Sequence, residues 1–343
     1  MISLIIPVTT SNSNYTNNLV RNIRELYPDE NQVEIVVEIN DKVTLGINYN
    51  NAVARAKGEK ILLLHNDMII PKGFIETMDK HIVKGRVTTY TRVEPPIYLD
   101  TYPGKVIKDC GSDLDTFDEN LFNQIYFEES LVDGGSQLFF GCYKEDYIGI
   151  DGYTFVKFCE DDDLHLRYKL AGFEHKVSSA YVYHFVSKTS RVGDYSQIEY
   201  NSNKNYIRKW GSRSSAPKYN IAFAIKNANM QIVEALEPWC DRLYIEDAMQ
   251  VITDSYKEKE QSNTKFDLSK RILTLEYNDP KGENDIIVEF DRRNFTQQSF
   301  NIIQQLPEII KESGEIGEFE LDVFKITVNS MTEYQNDLIV CKN

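Results

Sequence analysis

The sequence predicts an α/β protein built in two parts, and three observations carry that expectation. Short apolar or β-branched runs alternate with helix-periodic segments through Met1–Ile82, the pattern of a mainly parallel sheet with helices on its faces. Residues 211–217 read Gly-Ser-Arg-Ser-Ser-Ala-Pro, a linker composition. Beyond that linker the alternation starts again. A chain of 343 residues suits two domains, expected at 1–213 and 218–343.

The elements follow in order. Ser3–Val8 is an apolar strand, Leu19–Leu26 a helix and Val33–Ile39 a β-branched strand. Ile47–Ala56 has helical spacing, with Gly58 placed to cap it. Lys60–Leu64 is a strand of the buried type, broken at His65-Asn66-Asp67, and Pro71 opens a helix to about Ile82. Residues 94–120 contain Pro95-Pro96, Pro103-Gly104 and several aspartates, and read as a long loop. Strand Ser136–Tyr143, helix Asp161–Ala171 closed by Gly172, and strand Lys176–Phe185 complete the first part. The second part runs strand Tyr219–Ile225, helix Met230–Leu236, strand Arg242–Ile245 and helix Ala248–Lys257. Strands Ile272–Tyr277, Ile286–Phe290, Phe319–Val328 and Asp337–Cys341 then dominate, with one helix over Thr296–Ser313 despite Pro307.

Composition excludes several classes. Aromatic content of 12% with 41% hydrophobic residues rules out intrinsic disorder. The longest apolar run, Ile2–Val8, is too short to cross a bilayer and lacks the flanks of a signal peptide. Five separated cysteines without a CxxC pair fit reduced thiols, so a soluble cytoplasmic protein is expected. A net charge of −15 argues against non-specific nucleic-acid binding. The charge is uneven, however. Residues 188–218 carry seven basic side chains against two acidic ones, while the segments on either side each sum to −10.

Three places can carry chemistry. His65-Asn66-Asp67 ends a buried strand, where ligands bind in open parallel sheets. A carboxylate there can hold a hard cation that in turn binds a diphosphate, although Asn-Asp also suits a plain turn. Glu160-Asp161-Asp162-Asp163 opens a helix, whose N-terminus favours negative charge, and Asp163 can pair with Arg167 at i, i+4. One of these carboxylates can equally serve as a general base. His184 closes its strand and is either a structural histidine or a ligand for a metal such as Mn²⁺.

Taken together and in order, these segments resemble the GT-A glycosyltransferases, in particular the inverting family 2. Ser3–Val8 resembles that family's opening strand, and Asn50 with Ala56-Lys57-Gly58-Glu59 its N-x5-A-x-G-E segment. His65-Asn66-Asp67 stands at its D-x-D position, and Gly149-Ile150-Asp151-Gly152-Tyr153 is similar to its G-G-F-D-E stretch. Glu160 to Arg167 with Gly172 fits E-D-x-D-L-x-x-R-x4-G. His184 falls at the metal-binding histidine, and residues 205–211 resemble the closing K-W-G segment. The resemblance covers about residues 1–211. His65 replaces the first Asp, and Val37-Glu38-Ile39-Asn40-Asp41 departs from the usual Asp-Asp-Gly-Ser-like run.

The resemblance implies a GT-A, Rossmann-like mixed sheet followed by a smaller C-terminal α/β domain. It implies sugar transfer from a nucleoside diphosphate sugar, expected to be a UDP-sugar, to a hydroxyl acceptor, either a glycan or a hydroxymethylated DNA base. Asp67 and His184 are implied as ligands of Mn²⁺ or Mg²⁺, and Asp161 as the base. Donor contacts are expected at Pro7, Glu38, Asp41, Asn50, His65, Asn66 and Arg191. Acceptor contacts are expected at Glu160, Asp163, Gly134, Gly135 and Trp210. Residues 188–218 remain open between donor phosphates, an anionic acceptor stacked on Tyr195, Tyr200, Tyr206 and Trp210, and a solvated surface. A non-catalytic nucleotide-sugar-binding module is the alternative, with a nucleotidyltransferase third. The C-terminal domain has no readable motif.

Overall fold

The computed structural model describes residues 1–8, 14–40, 42–135, 139–154, 158–186, 196–211 and 218–332. The chain divides into two compact units, Met1–Ser196 and Gln197–Asn343. The division falls ahead of the linker at 211–217 because the helix preceding that linker bonds to residues of the second unit, as described below.

In the first unit β1 (Ile2–Val8), α1 (Asn14–Leu26), β2 (Val33–Ile39), α2 (Leu45–Arg55) and β3 (Lys60–Leu63) alternate as expected. Next come β4 (Met68–Ile69), α3 (Phe74–His81), β5 (Arg86–Glu94), β6 (Lys105–Ile107), α4 (Glu119–Asn123) and β7 (Leu131–Asp133). The unit closes with β8 (Phe140–Tyr143), α5 (Lys144–Gly149), α6 (Glu160–Leu170) and β9 (Glu174–His184). Strand order is β2-β1-β3-β8-β5-β9-β4, with β6 beside β5 and β7 beside β9. β1, β2, β3, β5, β6 and β9 run in one direction, while β4, β7 and β8 oppose them. The carboxyl ends of β3, β5 and β9 therefore lie on the same edge of the sheet. Leu4, Ile6, Leu62, Leu64 and Tyr90 pack with Leu19, Ile23, Phe74 and Met78 of the helices in one apolar core.

The long loop expected over 94–120 contains β6 and α4, and β5 itself was not anticipated. Its sequence, RVTTYTRVE, looks polar, yet Val87 to Glu94 are all buried. The ladder between β5 and β9 is not continuous. Tyr90 pairs with Ser178 but Thr91 pairs with Tyr181, so β9 carries two extra residues at this step. The step is held by Thr91 Oγ1 donating to Ser178 O at 2.8 Å and by Ser179 N donating to Ser130 O at 3.0 Å.

Gly58 does not cap α2, whose C-cap is Ala56. It lets two backbones approach instead: an added Cβ would sit 2.6 Å from Ser3 Oγ and 2.9 Å from Ser3 N. The same Oγ accepts from Gly58 N at 2.8 Å and donates to Glu34 at 2.6 Å. Gly58→Ala is expected to cost about 1–3 kcal/mol through overpacking, read as a lower urea midpoint at unchanged slope.

The second unit contains α7 (Ser196–Trp210), β10 (Ile221–Lys226), α8 (Met230–Leu236), β11 (Arg242–Ile245), α9 (Val251–Glu260) and α10 (Leu268–Arg271). It ends with β12 (Ile272–Thr274), β13 (Ile286–Asp291), α11 (Gln297–Ser313), β14 (Gly317–Leu321) and β15 (Phe324–Val328). Its sheet has the order β12-β11-β10-β13-β15-β14, parallel through β13, so it is the separate α/β layer expected. α11 starts on a Thr296–Ser299 capping box and stops at Gly314 in the left-handed region. The strand expected over Phe319–Val328 is a hairpin, turned by Asp322 at φ 53°. The strand expected at Asp337–Cys341 lies outside the described residues.

α7 is tied in by a buried ionic network. Arg208 donates to Glu237 at 2.6 Å and to Glu260 at 2.6 Å, Lys204 pairs with Glu260 at 2.7 Å, and Arg271 with Glu237 at 2.7 Å. Tyr256 donates to Glu237 at 3.0 Å. Burial alone would raise the Glu237 carboxyl, but Arg271 and Arg208 bring it down to about 2. Among the described residues no helix is long and apolar enough to cross a membrane, and Cys110, Cys142, Cys159 and Cys240 are free thiols.

Candidate metal and active site

The site grows out of strand register. Met68 of β4 lies opposite His184 of β9, so Asp67, one residue earlier, stands beside the end of β9. Phe185 N donates to Asp67 O at 3.0 Å and closes that corner. His65 follows the end of β3 on the same sheet edge. The result is one group in which ligand atoms of His65, Asp67 and His184 all lie within 4.8 Å of one another. Asp67 and His184 are buried, with His184 Nε2 at 3.3 Å from Asp67 Oδ1. His65 keeps some solvent contact as a residue, but its Nε2 is enclosed and has no hydrogen-bond partner among the described residues. Phe139 forms a wall, its ring 4.3 Å from that of His65 and 5.2 Å from that of His184.

The electrostatics suit a cation. Burial pushes the His65 imidazole down to about 3, so it is neutral and able to donate a lone pair. Burial also works to lower His184, but Asp67 and Glu94 outweigh it and raise its pKa. The proton so favoured sits between carboxylates where a divalent ion can take its place. Two imidazole nitrogens and one carboxylate oxygen suit a borderline ion such as Mn²⁺ better than Mg²⁺, which takes oxygen ligands. These residues could hold the expected metal, and His65, expected as a donor contact, lies within the same group of possible ligands.

α6 carries the second set of expected site residues. Its first turn holds Glu160, Asp161, Asp162 and Asp163. Glu160 and Asp163 are buried, Asp161 is half-buried and Asp162 is exposed. Tyr49 donates to Leu64 O at 3.2 Å and packs on Tyr153 at 5.3 Å between ring centroids. Burial raises its pKa well above the ordinary value, and both Asp67 and Glu160 add to that rise, so one ring feels both carboxylates. Phe158, Cys159 and Val186 have φ of 60°, 59° and 61°. Left-handed backbone at non-glycine residues costs about 1–3 kcal/mol each and gathers at functional sites.

Other expected contacts take different places. Pro7 and Glu38 are register partners on β1 and β2, and Glu38 is ion-paired to Arg55. Asn50 uses its amide on Tyr153 O at 2.8 Å, Tyr153 N at 3.0 Å and Tyr147 at 2.6 Å, and so clips the turn before α6. Asn66 donates to Thr16 at 2.9 Å, tying the metal loop to α1. Asp163 accepts from Arg167 at 2.8 Å and from Thr154 at 2.9 Å. Arg167 is itself bound to Ile150 O and Gly152 O. Asp163, expected as an acceptor contact, is thus engaged within the protein and braces the first turn of α6. Gly134 and Gly135 have φ of 125° and 90°, and a Cβ on Gly135 would lie 2.7 Å from Thr89 Oγ1. Gly135 thus packs closely on β5. Asp41 and Arg191 lie outside the described residues.

Trp210 and the basic helix need a larger correction. Trp210 and Tyr206 are buried, and Lys209 sits 4.8 Å over the Trp210 ring. Lys204 and Arg208 are neutralised by Glu237 and Glu260. Tyr195, Lys188 and Arg213 lie outside the described residues. Lys204, Arg208, Tyr206 and Trp210 are thus internal, while Tyr200 on the same helix is exposed. Sequence reading also passed over Glu94, Arg92 and Lys105, buried charges grouped beside His184.

No protein-family model and no curated protein matches this chain. Solved structures do. S. aureus TarS 1–349 aligns with TM-score 0.41 at 16% identity over 60% of this chain and 64% of that one. The same fragment in complex with UDP-GlcNAc aligns with TM-score 0.37 at 14% identity over 56% and 59%. GalNAc-T7 with UDP, GalNAc and Mn²⁺ aligns with TM-score 0.41 at 12% identity over 61% and 48%. The match therefore spans less than two thirds of each of these chains.

Proposed function

We propose that Met1–Ser196 is a GT-A glycosyltransferase unit that moves a sugar from a nucleoside diphosphate, a UDP-sugar first, to a hydroxyl with inversion at the anomeric carbon. The observation that carries this reading is the meeting of His65, Asp67 and His184 at the carboxyl ends of parallel strands. The helix opening Glu-Asp-Asp-Asp supports it from the acceptor side.

Bound at these three side chains, Mn²⁺ or Mg²⁺ would offset charge on the diphosphate and on the nucleotide as it leaves. Asp161 is the base: it retains solvent contact where its neighbours Glu160 and Asp163 are buried. Its carboxylate takes the proton of the acceptor hydroxyl as that oxygen attacks the anomeric carbon opposite the departing phosphate. Asp163 and Arg167 hold the first turn of α6 in place, and Asn50 fixes the Gly152–Tyr153 turn leading into it. Lys204, Arg208 and Trp210 are used internally, which supports a glycan hydroxyl ahead of a hydroxymethylated DNA base as the acceptor.

A thermal-shift panel of nucleoside diphosphates and their sugars, with and without Mn²⁺, tests the reading. A ligand at 100 times its dissociation constant should stabilise the protein by about 2.7 kcal/mol. The expected result is a metal-dependent shift with uridine nucleotides. No shift with any nucleotide overturns the donor site. A shift without transfer to any glycan would leave a nucleotide-sugar-binding module.

A further inference from the structure

We propose that Glu94 is the positioning residue of the candidate metal centre, fixing which nitrogen of His184 faces the ion; this rests on the metal reading above. After the two-residue step in the β5–β9 ladder, Val93 pairs with Tyr183, and Glu94 and His184 are the next residues on their strands. Their side chains meet there: Glu94 Oε1 lies 2.8 Å from His184 Nδ1. A carboxylate is a pure acceptor, so Nδ1 must carry the hydrogen. In the neutral ring that a metal requires, the lone pair then falls on Nε2, which lies 3.3 Å from Asp67 Oδ1. A carboxylate on the far nitrogen both orients the ring and makes the ligating nitrogen more basic.

The surroundings keep Glu94 charged and still. It is 3% exposed. Arg92 approaches Oε1 at 2.9 Å and Lys105 approaches Oε2 at 3.7 Å. Arg92 is held in turn by stacking 4.8 Å over the Phe139 ring, the same ring that walls His65 and His184. Lys105 is pinned by Tyr98 O at 3.1 Å and Asp100 at 2.9 Å. A carboxylate needed only to balance Arg92 and Lys105 would not have to place one oxygen on an imidazole nitrogen. This one does, and that imidazole belongs to the ligand group.

The test uses the full chain and Mn²⁺ alone, with free Mn²⁺ read by electron paramagnetic resonance. Glu94→Gln keeps an acceptor for Nδ1–H but loses the charge, whereas Glu94→Ala loses both. Mn²⁺ affinity is expected to fall about 10-fold in the first and about 100-fold in the second. If Glu94→Ala fails to fold, as uncompensated Arg92 and Lys105 could cause, Glu94→Gln carries the test. The visible absorption of the Co²⁺-saturated protein should also change in Glu94→Gln, which a charge-balancing role alone would leave untouched. Affinities of both Glu94 variants within about twofold of wild type, with Asp67→Asn weakened, overturn the role of Glu94 and keep the metal centre. If Asp67→Asn binds equally well too, both readings fall.

Discussion

Asp161→Asn is expected to lower sugar transfer by about 10²–10⁴-fold, the usual contribution of a positioned base, while nucleotide-sugar binding survives. The asymmetry follows from where the residue sits. Asp161 belongs to the first turn of α6, and the groups that would touch the diphosphate stand at the ends of β3 and β9. Asn preserves the size of the side chain and the turn but cannot accept a proton at neutral pH. Comparing kcat with the donor affinity separates the two roles, since loss confined to turnover marks a group acting in the transition state. Equal loss of donor binding would place Asp161 in the donor site, and full activity would remove it as the base. Asp162→Asn is the natural control, because that side chain is exposed.

Glu237→Leu is expected to destabilise the second unit by about 3–5 kcal/mol, the cost of leaving buried charge without its partner. Glu237 is fully buried and receives Arg208, Arg271 and Tyr256. With leucine in its place Arg208 keeps Glu260, but Arg271 loses its only carboxylate partner among the described residues. Both tryptophans of the chain, Trp210 and Trp239, fall in the second unit, so tryptophan fluorescence in urea follows that unit selectively. The exposed pair Lys259–Glu234 is the contrast: Glu234→Gln should change stability by no more than about 1 kcal/mol. An equal effect of the two substitutions would show that the buried network does not hold α7.

What was legible in the sequence follows the physics of each element. β1, β2 and β3 announced themselves as apolar or β-branched runs, and β10 and β11 did the same in the second unit. β5 hid because its Thr88, Thr89, Arg92 and Glu94 are buried by pairing, which a hydropathy pattern cannot register. The β14–β15 hairpin was read as one strand because its two-residue turn, Asp322-Val323, carries neither glycine nor proline. In the site, Asp67, Asp161 and His184 stood out by residue type at strand and helix ends. His65 as a ligand and Glu94 behind His184 depend on cross-strand register, which one sequence does not display. Asn50 and Asp163 were visible as positions, but their partners Tyr147, Tyr153 and Thr154 decide what they do. The pairing of Lys204 and Arg208 was hidden for a similar reason: their acids, Glu237 and Glu260, are remote in sequence and adjacent in space.

The step in the β5–β9 ladder has a consequence for how such a site can be altered. Two added residues advance β9 by about 6.6 Å at 3.3 Å per residue, and an even step leaves every side chain on its original face. Without it, the offset that pairs Tyr90 with Ser178 would bring Val182 opposite Glu94. A single added residue would instead rotate His184 to the other side of the sheet, away from Asp67. Changes of chain length in β9 are therefore subject to a parity rule at this point. The half of the ladder before the step is committed to the core through Ser178, Thr91 and His81, and the half after it can slide only in pairs of residues.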